Sequence, residues 1–273
     1  MKGRNITMNL WETTEQKKLL VDGHRGSREL APENTMMAYQ HAIDVGVDML
    51  EIDVHMTTDG YLVLMHDRLV DRTTDGTGPI TEKSLAQVQQ LNAGKNFNVQ
   101  APVPMLKEFC QLLADNPTML ACVELKDYPD IEGEEQSFTC AEKTVEMLKE
   151  YGILDRCVMN CFDAKVLKHL VDKYGKGLKT HGYYPLNIMR EVESDPLEYL
   201  YCACLWPDKK DAQWPICPDE WAKYLISRGV EPWIPACVRT ADDLETYWKQ
   251  GARVITTDNS PETIARLKEK GLR

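Results

Sequence analysis

Short apolar segments alternate with amphipathic segments along most of the chain, and this alternation constrains the fold more than any other feature. Repeated strand and helix patterns are typical of a parallel sheet, because each helix returns the chain to the edge where the next strand begins. Eight strand-like segments can close into a barrel, and 273 residues suit a barrel that typically needs about 250. The predicted strands are residues 19–23, 48–55, 119–125, 157–160, 178–182, 200–205, 231–236 and 253–256.

Helical spacing of apolar residues fills most of the gaps between these strands. An open doubly wound sheet is the alternative, but neither of the glycine-rich phosphate-loop patterns typical of such sheets occurs. We therefore expect an α/β fold of the TIM (β/α)8 barrel type, with residues 1–273 as a single domain. The predicted helices are residues 34–45, 141–151, 164–173, 241–250 and a last helix that begins near Ser260-Pro261, a good N-cap followed by a good first helical residue.

One segment interrupts the alternation after the second strand. Residues 56–104 contain an Asp59-Gly60 turn, an apolar run, a polar loop and one short helical stretch. The loops that follow barrel strands lie at the catalytic face, where insertions are tolerated. We expect a small insertion at this place.

The charge of the chain limits its partners. A net charge of −11 and a pI of about 5.1 argue against nucleic acid and anionic membrane surfaces as partners. An anionic small-molecule substrate would need a local positive site. No apolar run approaches the roughly 20 residues of a membrane span, and residues 1–18 lack an apolar signal core. The nine cysteines show no paired metal-ligand spacing, so we expect free buried thiols in a cytoplasmic protein. We expect, separately, a monomer or small homo-oligomer.

Two carboxylates lie near the end of the second predicted strand. Glu51 and Asp53 are two residues apart, so their side chains point to the same face of the strand. Such a pair is repulsive unless a cation or a cationic side chain lies between the two groups. A solvent-facing polar strand is the alternative interpretation, and a barrel disfavours it because both faces of the strand are covered.

A hairpin is predicted directly after this strand. Asp-Gly between two strand-like runs favours a two-residue loop, which would pair Thr58 with Tyr61 and Asp53 with His66. Directly opposed residues share a face, with Cβ atoms about 5 Å apart. This register predicts that the hairpin brings His66 beside the carboxylates.

Other polar residues follow the first and third strands. His24 and Arg25 end the first strand, while Glu124 and Lys126 share a face at the end of the third. The carboxyl ends of barrel strands meet at one rim, so these side chains are expected to converge there. The alternative for His24 is a purely structural histidine. The alternative for Glu124 and Lys126 is a simple salt bridge at the end of a strand.

These residue types together fit phosphodiester cleavage. Three carboxylates suit one hard divalent cation, Mg²⁺ or Ca²⁺ with Mn²⁺ as a further alternative, better than Zn²⁺. Such an ion polarises a phosphoryl oxygen, and Arg25 and Lys126 could hold the other phosphate oxygens. Two histidines could divide the work, one activating the nucleophile and one protonating the leaving alkoxide.

A series of motifs occurs in a defined order along the chain. These motifs are His24-Arg25-Gly26, Pro32-Glu33-Asn34-Thr35, Glu51-x-Asp53, Thr58-Asp59-Gly60, His66-Asp67, Asp71-Arg72-Thr73-Thr74, Gly76-Thr77-Gly78, Pro104-Met105-Leu106, Glu124-x-Lys126 and Thr256-Thr257-Asp258 with Pro261 after it. In this order, over about residues 20–265, they resemble the glycerophosphodiester phosphodiesterase family. The resemblance implies a TIM barrel that hydrolyses small-molecule glycerophosphodiesters to glycerol 3-phosphate and an alcohol.

The resemblance also implies roles by matching position. It implies His24 and His66 as the acid/base pair and Arg25 and Lys126 at the phosphate; as ligands of one divalent cation it implies Glu51, Asp53 and Glu124.

Four further residues lie outside the matched set of roles. Glu33 is expected either to begin a helix, with Asn34 as its N-cap, or to position Arg25. The family often has Trp-Thr-Val-Asn on its seventh strand, where this chain has Trp233-Ile234-Pro235-Ala236. Trp233, His181 and Trp206 are candidates for the wall of the pocket, and packing at the rim is the alternative.

Three other functions remain as alternatives. One is a lysophospholipase D-like or other lipid phosphodiesterase on the same barrel, one is a barrel that binds phosphodiesters without cleaving them, and one is a Zn²⁺ hydrolase. The second is disfavoured because a binding protein has no need of both His24 and His66. The third predicts contacts between His24 and the metal.

Overall fold

Strands and helices alternate through the computed structural model, which describes residues 17–206 and 216–273. The strands are β1 Leu20–Gly23, β2 Met49–Met56, β3 Leu62–Leu64, β4 Leu120–Leu125, β5 Cys157–Asn160, β6 Thr180–Tyr184, β7 Cys202–Leu205, β8 Glu231–Trp233 and β9 Val254–Thr257. The helices are α1 Met36–Val45, α2 Leu85–Val88, α3 Leu106–Asp115, α4 Pro129–Glu132, α5 Glu134–Glu150, α6 Ala164–Tyr174, α7 Asp219–Ser227, α8 Ala241–Lys249 and α9 Ser260–Glu269. The prediction about residues 1–18 falls almost wholly outside this range.

Eight of the strands form one parallel sheet in the order β8-β7-β6-β5-β4-β2-β1-β9. The first and last of these strands meet through a parallel bridge between Ile234 and Ile255, where the Ile234 N–H donates to the Val254 carbonyl at 2.8 Å. This contact closes the sheet into a nearly complete barrel. The predicted TIM-type fold is therefore confirmed, including the insertion after the second strand.

The predicted element ends differ from the observed ones by a few residues in several places. The fifth parallel strand runs over Thr180–Tyr184 rather than 178–182, and the seventh ends at Trp233 rather than at 236. Pro235 has no N–H to donate to a neighbouring strand, which favours this earlier end. Helix α5 begins at Glu134, seven residues before its predicted start, because its first turn is polar and lacks the apolar spacing.

The inside of the barrel has an apolar base and a polar top. Leu20, Met49, Val158 and Trp233 belong to an apolar cluster that fills the lower barrel between the strands. A larger cluster joins the outer faces of the strands to the surrounding helices. The charged residues therefore collect at the carboxyl ends of the strands, where barrel enzymes carry their active sites.

The insertion has its own small core. Between β2 and α3 the chain forms β3, α2 and two short 3₁₀ turns, which pack around Val63, Met65, Val70, Ile80 and Val88. Strand β3 pairs antiparallel with β2 and anchors the insertion on the barrel.

The predicted hairpin register is wrong by one residue. Val54 pairs with Leu64, and the Thr57 N–H donates to the Tyr61 carbonyl at 2.9 Å, so the loop has three residues and not two. Gly60 has a φ of 81°, a left-handed conformation that glycine adopts without strain and that such three-residue loops require. Asp53 therefore lies opposite Met65 rather than His66.

All nine cysteines are free thiols, as expected. Within residues 17–206 and 216–273, no helix combines the length and the apolar character that crossing a membrane requires.

Candidate active site

A cavity of about 620 Å³ opens at the carboxyl ends of the barrel strands. Because most of the candidate site residues lie on or directly after parallel strands, and His66 follows the antiparallel strand β3 beside β2, most of them line this cavity. Those that do are His24, Arg25, Glu51, His66, Glu124, Lys126, His181 and Trp206.

Three buried carboxylates form the base of the site. Glu51 and Asp53 come from β2 and Glu124 from β4, and the parallel register places Asp53 directly beside Glu124. One oxygen from each group lies within 4.8 Å of the others. The three residues are at most 5 % exposed, so their mutual repulsion is poorly screened. The sequence prediction that these three residues converge agrees with this geometry.

The Lys126 ammonium lies between two of these carboxylates. Its Nζ is 2.6 Å from Glu124 Oε1 and 3.1 Å from Asp53 Oδ1. Burial alone would lower the pKa of Lys126, but Asp53 and Glu124 outweigh it and the pKa is raised. The sequence predicts Lys126 at the substrate phosphate. In the structure its ammonium group also offsets the negative charge of Asp53 and Glu124.

Arg25 binds the same cluster through its backbone and its side chain. Its N–H donates to Glu51 Oε2 at 2.8 Å, and its Nε lies 3.4 Å from Asp53 Oδ2. The next residue, Gly26, has a φ of 92°, and a Cβ there would lie 2.6 Å from the Cβ of Ala38. Only glycine fits this close approach, which fixes the position of Arg25 above the carboxylates.

The carboxylates respond differently to their surroundings. Burial, followed by the charges of Asp53 and Glu124, holds the pKa of Glu51 well above its usual value. Burial also opposes ionisation of Asp53, but Lys126 and Arg25 outweigh it and lower its pKa. Glu51 Oε1 is buried and has no hydrogen-bond partner. This unpaired oxygen, beside two other carboxylates, is what a hard cation requires of its ligands.

His24 forms a pair with a residue from the far end of the chain. Its Nδ1 lies 2.5 Å from Asp258 Oδ1, and Asp258 follows β9, the strand next to β1. Burial lowers the pKa of His24, and Asp258 opposes this effect. Arg28 also contacts Asp258, at 2.9 Å. Asp258 belongs to the Thr256-Thr257-Asp258 motif, but that motif alone predicts no role for it.

His66 forms a second pair of the same kind. Its Nδ1 lies 2.6 Å from Asp67 Oδ1, and the ring lines the cavity although the predicted hairpin register is wrong. The chain leaves the extended conformation after Leu64, which allows His66 to turn back to the site. Burial lowers the pKa of His66, while Asp53 opposes this and Lys126 adds to it.

A chain of ion pairs connects His66 to Arg25. Asp67 contacts Arg72, whose Nη1 and Nη2 donate to the two oxygens of Glu33 at 2.8 and 2.7 Å. Glu33 then accepts from Arg25 Nη1 at 2.9 Å. Of the two interpretations of Glu33, its contacts match the positioning of Arg25. Arg72 belongs to the Asp71-Arg72-Thr73-Thr74 motif, but its partners could not be predicted because it lies in an irregular loop.

Asn34 has a different place from the predicted N-cap. The cap of α1 is Thr35, whose side chain accepts from the Ala38 N–H. Asn34, at a φ of 54°, instead donates from Nδ2 to Asp53 Oδ2 at 2.7 Å and accepts from the Tyr39 hydroxyl at 2.8 Å. It therefore fixes one oxygen of the central carboxylate.

Two of the three candidate wall residues line the cavity, and Trp233 does not. Trp233 is fully buried in the apolar base of the barrel, because β8 directs its side chain into the layer beneath the cavity. It packs against the ring of His181 at a centroid distance of 4.7 Å. Burial lowers the pKa of His181 to about 3, so this ring stays neutral at physiological pH.

Asp22 is a buried carboxyl that sequence reasoning did not identify. It is fully buried on β1 and accepts from the Thr256 hydroxyl at 3.0 Å, while its Oδ1 has no hydrogen-bond partner. Burial raises the pKa of Asp22 to about 7.

Comparison with known proteins gives a consistent result. A model of the glycerophosphoryl diester phosphodiesterase family matches residues 24–204. The chain is 32% identical, over 93% of its length and 99% of the relative's, to a glycerophosphodiester phosphodiesterase of Caldanaerobacter subterraneus subsp. tengcongensis.

Solved structures agree with the fold. A putative glycerophosphoryl diester phosphodiesterase from Silicibacter pomeroyi superposes with a TM-score of 0.79 at 21% identity, covering 96% of this chain and 97% of that one. A second similar structure is that of a phosphodiesterase from Oleispira antarctica in complex with the product sn-glycerol-3-phosphate. It superposes with a TM-score of 0.73 at 22% identity, covering 92% of this chain and 96% of that one.

Proposed function

Because this chain belongs to the glycerophosphoryl diester phosphodiesterase family, it hydrolyses glycerophosphodiesters, and we propose that it does so with one divalent cation and two histidines. The products in this proposal are glycerol 3-phosphate and an alcohol. We also propose that residues 1–273 act as one barrel domain with an insertion at about 56–104. The observation that supports the catalytic proposal most strongly is the convergence of three buried carboxylates and two histidine–aspartate pairs on one cavity.

Glu51, Asp53 and Glu124 would hold the cation. Their oxygens lie within 4.8 Å of one another, and the unpaired Oε1 of Glu51 is available as a ligand. Oxygen donors alone favour Mg²⁺ or Ca²⁺, with Mn²⁺ as a further candidate. When bound, such an ion polarises a phosphoryl oxygen and offsets its negative charge.

Arg25 and Lys126 supply the remaining positive charge at the phosphate. Both line the cavity, and both are held in place by the carboxylates beneath them. Because neither side chain has to be ordered when the substrate binds, little conformational entropy is lost. A substrate phosphate held in the cavity by these two side chains would also lie close to both histidines, which line the same cavity.

His24 and His66 would transfer the protons. Each ring uses Nδ1 to contact an aspartate, at 2.5 and 2.6 Å, which leaves Nε2 for the substrate. One Nε2 accepts the proton of the attacking hydroxyl, and the other donates a proton to the departing alkoxide oxygen. The aspartates hold each ring in the required tautomer and orientation.

The test is the release of glycerol 3-phosphate from glycerophosphocholine and glycerophosphoethanolamine, first with EDTA and then with Mg²⁺, Ca²⁺ or Mn²⁺. We expect release that depends on the metal and that falls at least about 100-fold in His24→Ala and in His66→Ala. His169→Ala is a matched control, because His169 pairs with Glu142 on the outer helices. Full activity in EDTA would contradict the proposed need for a cation. Full activity of His24→Ala or His66→Ala would contradict the proposed role of that histidine in proton transfer.

A further inference from the structure

Three aromatic side chains form one wall of the active-site cavity. Phe162 follows β5, Tyr183 lies on β6 and Trp206 follows β7, and we call these three residues the aromatic wall. Phe162 and Tyr183 stack with a centroid distance of 3.6 Å and an interplanar angle of 13°. Trp206 meets both of them almost at right angles, with centroid distances of 5.9 and 5.8 Å. The wall is therefore a corner of π-systems and not a single flat surface.

The opposite side of the cavity is polar. His24 and Arg28 follow β1, Asp258 follows β9, and Arg239 lies after β8, in a segment from which Pro235, Ala236 and Cys237 also line the cavity. In the strand order, β5, β6 and β7 lie across the barrel from β1 and β9. The acidic cluster on β2 and β4 lies between the two sides.

This arrangement orients a phosphodiester. With the phosphate at the acidic cluster, the two groups that it joins point to opposite sides. Glycerol carries hydroxyl groups that need hydrogen-bond partners when they leave water. The polar side offers such partners, so the glycerol lies there and the alcohol lies against the aromatic wall.

Resting on the proposed function, we infer that the aromatic wall is the subsite for the alcohol and that it selects a quaternary ammonium group, as in choline. A cation over aromatic faces is attracted by the negative face of each ring. The net charge of −11 adds a general attraction for cations over anions.

The same wall discriminates against a primary ammonium group. A primary ammonium has three N–H donors that require acceptors, and it prefers a carboxylate. Among the described residues that line the cavity from β5 to the end of β7, none is acidic. A trimethylammonium group has no N–H donor, so it loses no hydrogen bond when it packs against the rings.

The test compares three substrates that differ only in the alcohol. These are glycerophosphocholine, glycerophosphoethanolamine and the glycerophosphodiester of 3,3-dimethylbutanol, which has the shape of choline without its charge. We expect kcat/KM to be at least about tenfold higher for glycerophosphocholine than for the other two substrates. A desolvated cation–π contact strengthens binding by up to roughly 30-fold. Equal values for choline and for its neutral counterpart would overturn the inference.

Substitutions in the aromatic wall test whether the preference for glycerophosphocholine arises there. Trp206→Leu should lower kcat/KM for glycerophosphocholine about tenfold and for the neutral diester less than threefold, while Trp206→Phe should retain most of the preference. Phe162→Leu should show the same selective loss. Tyr61→Leu is the control, because Tyr61 is an exposed aromatic residue on the insertion hairpin and outside the cavity. An equal loss for all three substrates in Trp206→Leu would overturn the inference.

The two proposals fail in different ways. If no substrate releases glycerol 3-phosphate with any metal, the proposed function is contradicted. If all three substrates are cleaved at similar rates, only the choline subsite is contradicted.

Discussion

Arg72 and Glu33 form a two-pronged ion pair, in which Nη1 and Nη2 of the guanidinium donate to the two carboxylate oxygens at 2.8 and 2.7 Å. Arg72 belongs to the insertion and Glu33 to the loop after β1, so this pair fastens the insertion to the barrel. Arg72 also contacts Asp67, the partner of His66, and Glu33 also contacts Arg25, so the pair lies between His66 and Arg25.

Replacing Arg72 should therefore impair catalysis without direct contact with the substrate. We expect Arg72→Met to lower kcat/KM roughly 10- to 100-fold, since misplacement of a reacting group by about 1 Å can cost 100-fold. Burial raises the pKa of Asp67, but Arg72 and His66 outweigh it and hold the pKa at about 2. Loss of Arg72 raises this pKa, so the acid side of the pH–rate profile should move to higher pH.

Arg68 provides the control for this prediction. It lies in the same insertion and pairs with Glu132 and Glu82, outside the chain of ion pairs. Arg68→Met should leave the pH–rate profile unchanged. Identical profiles for Arg72→Met and the unmodified protein would mean that Arg72 serves stability alone.

Asp258→Asn should disturb the tautomer and the orientation of the His24 ring. An amide can donate to Nδ1, which favours the wrong ring tautomer, and comparable changes in catalytic triads reduce kcat by up to about 10⁴. We expect a loss of 10²-fold or more in kcat with little change in KM, together with unchanged affinity for the cation in calorimetry. A loss confined to KM would contradict a role in proton transfer.

Cation binding should stabilise the fold. At a concentration of 100 times Kd, a ligand that binds only the folded state adds about 2.7 kcal/mol to the free energy of unfolding, which corresponds to a rise in Tm of roughly 5–10 °C. This rise should disappear in Glu124→Gln, whose amide is a poorer ligand. Glu132→Gln, on a carboxylate outside the acidic cluster, should keep it. An unchanged thermal shift in Glu124→Gln would exclude this residue as a ligand.

Asp22 should make the stability of the protein depend on pH. Its pKa is about 7 in the folded state and near 3.8 when exposed, so the folded protein holds a proton that the unfolded chain releases between these values. The free energy of unfolding should therefore fall as pH rises from about 4 to 7, by about 1.4 kcal/mol per pH unit at most.

Asp22→Asn isolates this effect. We expect the variant to match the unmodified protein near pH 4 and to be more stable by a few kcal/mol, roughly 4 at most, above pH 7. Denaturant titration in EDTA across this pH range is the measurement. Parallel stability curves for the two proteins would show that Asp22 does not titrate in this range.

Much of the site follows from the sequence because its carboxylates lie on parallel strands. Glu51, Asp53 and Glu124 each occupy a strand position whose face is fixed by alternation, and adjacent parallel strands align them. Their convergence needs no knowledge of the loops. The barrel follows for the same reason, since strand and helix periods are local properties of the sequence.

The partners of the histidines could not be derived in this way. Three histidine–aspartate pairs occur among residues 17–206 and 216–273, and that of His55 with Asp127 is buried away from the cavity. No local pattern in the sequence distinguishes the pair of His55 from those of His24 and His66, whose rings line the cavity. The hairpin register failed for a related reason, because Asp-Gly fits both two- and three-residue loops. Trp233 was misplaced because a strand of three residues leaves the depth of its side chains to the packing of its neighbours.

His24 and Asp258 are separated by 234 positions in sequence, yet they share a hydrogen bond in the active site. Forming this contact requires that the last strand has docked beside the first, which is among the slowest kinds of event in folding. A growing chain on the ribosome cannot assemble the pair until the final strand has been synthesised. Recovery of activity during refolding therefore reports the completion of the whole barrel, whereas helix content can recover much earlier.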